Sequence, residues 1–497
     1  MNPLKKLASD TAVYGLSSIL GRLLNYLLVP LHTTVFQTDN YGIITELYVA
    51  AAFLNVVYTF GLETSYFRFA SKNLNDHEKV YNSSFTLILI ISACISILLI
   101  GSDTFLVNSM DYPGKENFIW IFSGILFFDA IQAIPFARLR LENKAKTFAI
   151  ARIAGIATNI GVNVFFLLFC FGITENWFLS GLQPFISTIY NPAYNLEYVF
   201  FANLCGSIIS SLFIYKLFFK IKLGISKLYS KSLLIFGYPI LFTGLAIATN
   251  ELLSRWALKY WLPENFYPEF SNQEILGIFG GVFKLAIIMN LGIQAFRYAA
   301  EPFFFSQSEN KESPQLFALV LKWFVIFGCV VWLGVSINLD TLQYFLGGSD
   351  YRTAIPVVPL LLLASLFMGI NYNLSAWFKL IDKTSIGTQI TFVGALITIA
   401  GNYFLIPFYG YYGSAYASVL AYAGMTVISY IWGQKLNPFP YPVAKIMAYI
   451  GITGLLILLL SFLPLTGIWH FLVVNSIAIG YLVVVYIIER KSFIQLK

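Results

Sequence analysis

Charge is what this sequence has least of. Only 11% of its 497 residues are Asp, Glu, Lys or Arg, less than half of the about 25% usual in soluble globular domains. Cysteine is scarce as well. Cys94, Cys170, Cys205 and Cys329 all stand inside apolar segments without paired spacing, so they read as small packing residues rather than a disulfide framework or a thiolate metal site. His32, His77 and His470 are too scattered to form a ligand cluster. No phosphate-cradling loop and no nucleophile beside a base can be found, so no catalytic residue, cofactor or metal is expected. Together these absences exclude a cytosolic enzyme and a secreted disulfide scaffold, and the high apolar content excludes a disordered chain.

Apolar and aromatic residues fill the space that charge leaves. The chain is 58% hydrophobic with mean hydropathy +0.74, and holds 47 Phe, 31 Tyr and 9 Trp. A spanning helix needs roughly 20 mostly apolar residues, and by that measure the sequence divides into about 14 spans. The first is expected at Thr11–Phe36 and the last at Gly467–Ile488. The expected fold class is therefore an all-α polytopic membrane protein. Lys5 and Lys6 precede a run too long for the apolar core of a cleavable signal, so the first span itself reads as the insertion signal. Connections are short. The longest, Ile173–Glu197, is rich in Asn, Pro and Tyr and contains no Lys or Arg.

The net charge of +7 does not point to nucleic acid, because the cations form short clusters between apolar runs. They read as topology signals facing anionic headgroups. With an inside N-terminus, only Lys115, Arg255, Lys259 and Arg352 fall outside, and Arg22 and Lys284 fall within the bilayer; every other Lys and Arg lies inside. Both termini are expected to be cytoplasmic. The basic stretch Lys216–Lys231 either enforces this topology or binds anionic headgroups.

An internal echo suggests two related halves. The run Arg140-Leu-Glu-Asn-Lys-Ala-Lys returns as Lys379-Leu-Ile-Asp-Lys-Thr-Ser. In the spans that follow, Gly155, Ile160, Asn163 and Phe165 fall on Gly394, Ile399, Asn402 and Phe404 without a gap. The copies are six spans apart, an even number, so both halves share one orientation. That is a parallel repeat about an axis along the membrane normal, an architecture with its site between two lobes. The expected organisation is an N-lobe at 1–222, a C-lobe at 223–440 and a C-terminal helix pair at 441–497.

Charges inside a bilayer cost about 2.5–3.5 kcal/mol each on insertion scales, so those retained need a partner or a wet cavity. Arg22 lies mid-span on a helical stripe with Thr11, Gly15, Ser18, Asn25, Val29 and His32, nearly all small or polar. The stripe either lines a cavity or ties Arg22 to carbonyls or an acid as a structural cation. His32 is an interfacial residue or a proton relay. Lys284 is mid-span in the eighth helix, one turn after Gly280-Gly281, which leave room for the ammonium or for close helix approach. Two cations, one per lobe, would suit a phosphate or diphosphate, Arg as a planar fork and Lys as a point charge; Glu251 could instead neutralise Lys284. Glu251 and Arg255 form either a surface ion pair or an outer gate. Arg297 and Glu301 form an inner latch or an interfacial salt bridge. Glu46, Glu63 and Asp129 are the remaining acids at membrane depth, and each is a candidate to carry a coupling H+ or Na+.

The opening segment Tyr14–Leu31, the Asp39-Asn-Tyr-Gly42 start of the second span, Phe283-Lys284 and the Ala299-Ala-Glu-Pro302 helix end resemble the polysaccharide-type (O-antigen) flippases of the multidrug/oligosaccharidyl-lipid/polysaccharide exporter superfamily. The likeness covers essentially the whole chain, although a basic residue found in the second helix of some relatives has no mid-span match here. It implies two six-helix lobes plus two C-terminal helices, and alternating access that carries an undecaprenyl-diphosphate-linked oligosaccharide outward for surface polysaccharide. The implied partners are that lipid-linked substrate, membrane lipids and a coupling H+ or Na+. Basic residues of the first and eighth helices line the cavity in related flippases, which points to Arg22 and Lys284. Two rivals remain at this stage: a cation-coupled multidrug exporter of the same superfamily, and a polytopic glycosyltransferase or polymerase.

Overall fold

The computed structural model describes residues 20–494, except 22, 73–75, 308–312, 376, 377, 379, 382, 465 and 466. Among the described residues the regular structure is helical, and 13 helices are long and apolar enough to cross a membrane. A shorter apolar helix, Leu23–Val35, stands where the first span is expected. In chain order they are α1 (Leu23–Val35), α2 (Thr38–Lys72), α3 (His77–Gly101), α4 (Glu116–Leu141), α5 (Ala145–Thr174), α6 (Pro192–Phe213) and α7 (Lys227–Trp261). There follow α8 (Asn272–Tyr298), α9 (Pro314–Ser336), α10 (Asp350–Leu374), α11 (Thr384–Tyr409), α12 (Tyr411–Leu436), α13 (Val443–Ser461) and α14 (Gly467–Arg490). The all-α polytopic fold is thus the observed one. Helices prevail because a hydrocarbon solvent offers no partner to backbone N–H and C=O groups, which a helix satisfies within itself.

The chain divides into two compact units, the first ending at Trp256 and the second beginning at Ala257. In the first unit, Tyr58, Leu62, Tyr66, Tyr81, Ile88 and Ile134 form a buried core shared by α2, α3 and α4. Apolar burial alone does not favour helix association in lipid, so close approach through small residues matters. Two such crossings are built on reciprocal glycines. A methyl added at Gly155 of α5 would sit 2.8 Å from the Gly206 carbonyl oxygen of α6, and one at Gly206 would sit 2.7 Å from that of Gly155. The second crossing lies where α2 breaks. Phe60 (φ 48°) and Gly61 (φ 66°) leave the helix for the left-handed region, and a methyl on Gly237 of α7 would meet the Phe60 carbonyl oxygen at 2.6 Å.

Cations read as topology signals also make ion pairs at their helix ends. Arg138 lies 2.6 Å from Glu142, reaches Glu78 at 3.1 Å and stacks over the Tyr81 ring at 4.4 Å. Arg140 pairs with Glu63, and Lys144 lies 2.6 Å from Glu142. Burial works against the charge of Glu142, but Lys144 and Arg138 outweigh it and hold the carboxyl below its usual range.

In the second unit, Phe317, Tyr422, Met425 and Phe439 belong to the main apolar cluster. The C-terminal helices fasten to α9 at several levels. Glu489 of α14 is 2% exposed and lies 2.5 Å from Lys322 of α9 and 3.3 Å from Lys445 of α13. The Tyr449 hydroxyl donates to the same carboxylate at 3.1 Å. Near the other end of α9, Asn338 and Asn475 exchange amide hydrogen bonds at 3.1 and 2.9 Å, and His470 lies 3.2 Å from Asp340.

Two outcomes follow for stability. Gly155→Ala should lower thermal stability of the detergent-solubilised protein by about 1–3 kcal/mol, the usual cost of overpacking; unchanged melting would show that the crossing tolerates a methyl. Glu489→Leu alone should cost about 3–5 kcal/mol by removing the carboxylate that Lys322, Lys445 and Tyr449 share, whereas the Lys322→Leu/Glu489→Leu pair should recover part of that loss. A double-mutant cycle read by thermal unfolding measures it.

Candidate functional site

In the first unit the polar stripe read on the first span finds its counterpart on α5. Asn159 and Asn163 are one turn apart on α5 and so share a face. Asn159 donates to the Asn25 side-chain oxygen at 3.2 Å. Asn163 donates to the Asn159 side-chain oxygen at 3.0 Å and to its backbone oxygen at 2.9 Å. His32 then meets the Asn163 oxygen at 2.9 Å. The result is a continuous amide seam between α1 and α5. It continues into a π-helical turn at Val164–Cys170, a feature frequent at functional sites.

Beside this seam is a polar cavity of about 300 Å³. Asn25 and Asn159 form one wall; Asp129 and Gln132 from α4, Arg152 from α5 and Ser207 from α6 contribute others. Each of these helices presents polar groups at helical spacing: Asp129 and Gln132 three apart, Arg152, Gly155 and Asn159 at steps of three and four, and Asn203, Ser207 and Ser210 likewise. The Gly155–Gly206 crossing brings α5 and α6 close at the cavity wall. Ser207 donates to the Asp129 carboxylate at 2.7 Å. Gln132 donates to the backbone oxygens of Phe128 at 2.9 Å and Ser207 at 3.2 Å. Arg152 lays its guanidinium over the Phe136 ring at 4.2 Å. Among the described residues the cavity therefore holds one negative and one positive group in a surrounding of amides and hydroxyls.

The structure distributes the residues singled out from the sequence as follows. Arg22 and Ser18 lie outside the described residues. Asn25 lines the cavity, and so does Asp129. Glu46 is fully buried and accepts the Tyr112 hydroxyl. Glu63 is paired with Arg140 at a helix end. Arg255 donates to the Glu251 backbone oxygen at 3.0 Å. Lys284 is half-buried in α8. The glycine before it, Gly281, serves close approach: a methyl there would meet the Tyr351 ring at 2.8 Å. Arg297 lies 5.0 Å from the Tyr372 ring centre, and the side chain of Glu301 is outside the described residues. Among the described residues no group of three or more His, Cys, Asp or Glu is placed to hold a metal.

Gln132, Arg152, Asn159, Asn203, Ser207 and Ser210 were not among the site residues expected from the sequence. Their signal was present as three- and four-residue spacing of polar groups on three separate helices. Each stripe is short and holds ordinary Ser and Asn residues, which spanning helices also use for packing. Only their convergence marks a site.

Residues 35–175 match the model of a family described as polysaccharide biosynthesis protein. No curated protein matches the chain. Among solved structures, the lipid II flippase MurJ in an inward closed conformation is 16% identical with a TM-score of 0.69, over 96% of this chain and 99% of that one. An inward-facing multidrug resistance MATE family transporter of the MOP superfamily is 13% identical with a TM-score of 0.63, over 87% and 96% of the two chains. A MATE structure in complex with MaD3S is 14% identical with a TM-score of 0.62, over 91% and 98%. The chain shares the fold of these structures. Family model and fold together bear out the resemblance read from the sequence.

The amide seam makes a stability forecast. Asn163→Leu leaves His32 and Asn159 without their partner and should cost about 1–3 kcal/mol, the penalty of unsatisfied buried polar groups. Thermal unfolding in detergent measures it, and an unchanged midpoint would show that the seam contributes nothing.

Proposed function

We propose that this protein is a flippase, not an enzyme, and that it moves a polyprenyl-diphosphate-linked oligosaccharide from the cytoplasmic to the outer leaflet during surface polysaccharide (O-antigen) synthesis. The observation that carries the reading is a polar, charge-bearing cavity walled by three membrane-spanning helices. A protein that only anchors or assembles in lipid has no use for an arginine and an aspartate turned toward one cavity between its helices, whereas passage of a polar headgroup requires such groups. The polysaccharide family model over residues 35–175 and the shared fold with a lipid II flippase support the same reading. Arg22 and Lys284 are the cations assigned to the diphosphate, with Ser18 and Asn25 as polar neighbours. The orientation has both termini in the cytoplasm of a bacterial inner membrane, as the uneven distribution of Lys and Arg supports. The working division is the two lobes at 1–222 and 223–440 with the helix pair at 441–497. Of the three acids Glu46, Glu63 and Asp129, Glu46 is taken up by the Tyr112 hydroxyl and Glu63 by Arg140, while Asp129 lines the cavity; a coupling H+ or Na+ is assigned to none of them.

One observation favours a second reading. A carboxylate in the cavity, on a fold shared with MATE transporters, suits a cation-coupled drug exporter. A deletion strain with drug sensitivity and normal surface glycans would select that reading.

Arg22→Ala should abolish export of the lipid-linked sugar while the protein stays at its normal level in the membrane. The measurement is leaflet-resolved: reconstituted protein, a labelled polyprenyl-diphosphate sugar, and accessibility to an external lectin. Full activity of the variant would remove Arg22 from the mechanism, and absence of any flipping by the unmodified protein would overturn the function.

A further inference from the structure

We infer that the cavity lined by α4, α5 and α6 is a saccharide subsite, which receives a neutral sugar ring of the transported headgroup. The inference rests on the flippase reading and assigns the sugar a site of its own.

Three features of the cavity converge on this ligand. The first is unused hydrogen-bonding capacity. Gln132 is 2% exposed and Ser210 5%, yet among the described residues the Gln132 side-chain oxygen and the Ser210 hydroxyl have no hydrogen-bond partner. Both residues line the cavity, and a buried polar group without a partner is costly. The second is charge. Asp129 and Arg152 both open onto the cavity, and neither closes an ion pair with the other or with a third group among the described residues. The third is chemistry. Carboxylate oxygens only accept, guanidinium only donates, and the amides of Asn25, Asn159 and Gln132 do both. A sugar hydroxyl both donates and accepts, so a ring of hydroxyls uses all three kinds of group at once. The volume of about 300 Å³ is at the small end of the range for small-molecule sites.

Other ligands fit less well. A metal cation would lie in the field of Arg152, with a single carboxylate to offset it. A phosphate would meet Asp129 across a small space. A neutral polyol meets no opposing charge.

The test uses the full-length protein in lipid nanodiscs. Saturation-transfer NMR is recorded with soluble neutral mono- and disaccharides of hexose and N-acetylhexosamine, with inorganic pyrophosphate and NaCl as competitors. Asp129→Ala and Arg152→Ala should each weaken sugar binding about tenfold, and Ser210→Ala, which preserves the packing, about threefold. Retained thermal stability separates these effects from misfolding. The inference fails if no sugar binds, if all three variants bind as the parent does, if pyrophosphate displaces the sugar, or if the cavity instead shows sodium binding that Asp129→Ala removes. The lectin assay distinguishes this from failure of the flippase reading. Unchanged flipping by Asp129→Ala and Arg152→Ala would remove the subsite and leave the flippase. Sugar binding with no flipping by the parent protein would remove the flippase and leave the subsite.

Discussion

A polar side chain in hydrocarbon has to find its partner within the protein, and that constraint shapes the first unit. Asn25, Asn159, Asn163 and His32 satisfy one another in a line, which holds α1 against α5 where apolar contact would not distinguish protein from lipid. The reciprocal glycines at 155 and 206 bring α6 to the same place. Once these helices are fixed, the faces of α4, α5 and α6 that carry Asp129, Arg152 and Ser207 meet around one space.

That space differs from its surroundings in what it leaves unsatisfied. At the helix ends, acids and bases neutralise one another: Glu78 and Glu142 on Arg138, Glu63 on Arg140. In the second unit Glu489 is held by two lysines and a tyrosine. In the cavity, by contrast, the partners among the described residues are a serine hydroxyl on Asp129 and aromatic rings under Arg152. These charges away from the cavity are closed pairs; Asp129 and Arg152, which face it, form no ion pair with each other.

Much of the fold is legible in the sequence, because a 20-residue apolar run has one stable form in a bilayer. The helix positions, the short connections and the wet stripe containing Asn25 and His32 all follow from pattern. Arg152 shows where pattern stops. Near a helix end it has the same signature as Arg138 and Arg140, and nothing in its neighbours tells that it lines the cavity while they pair with acids. Gly281 shows a related limit: a glycine one turn from mid-span leaves open what occupies the space, and the Tyr351 ring takes it. Periodicity describes the face of one helix. A site belongs to several faces, and their pairing is decided by crossings such as Gly155–Gly206.

The fastening of α9 to α14 bears on how the chain is made. Lys322 and Glu489 are separated by 167 residues, so α9 leaves the ribosome long before its counter-ion exists. Completion of the second unit is thereby tied to translation of the C-terminus, and a chain that stopped early would lack the carboxylate that draws α9, α13 and α14 together.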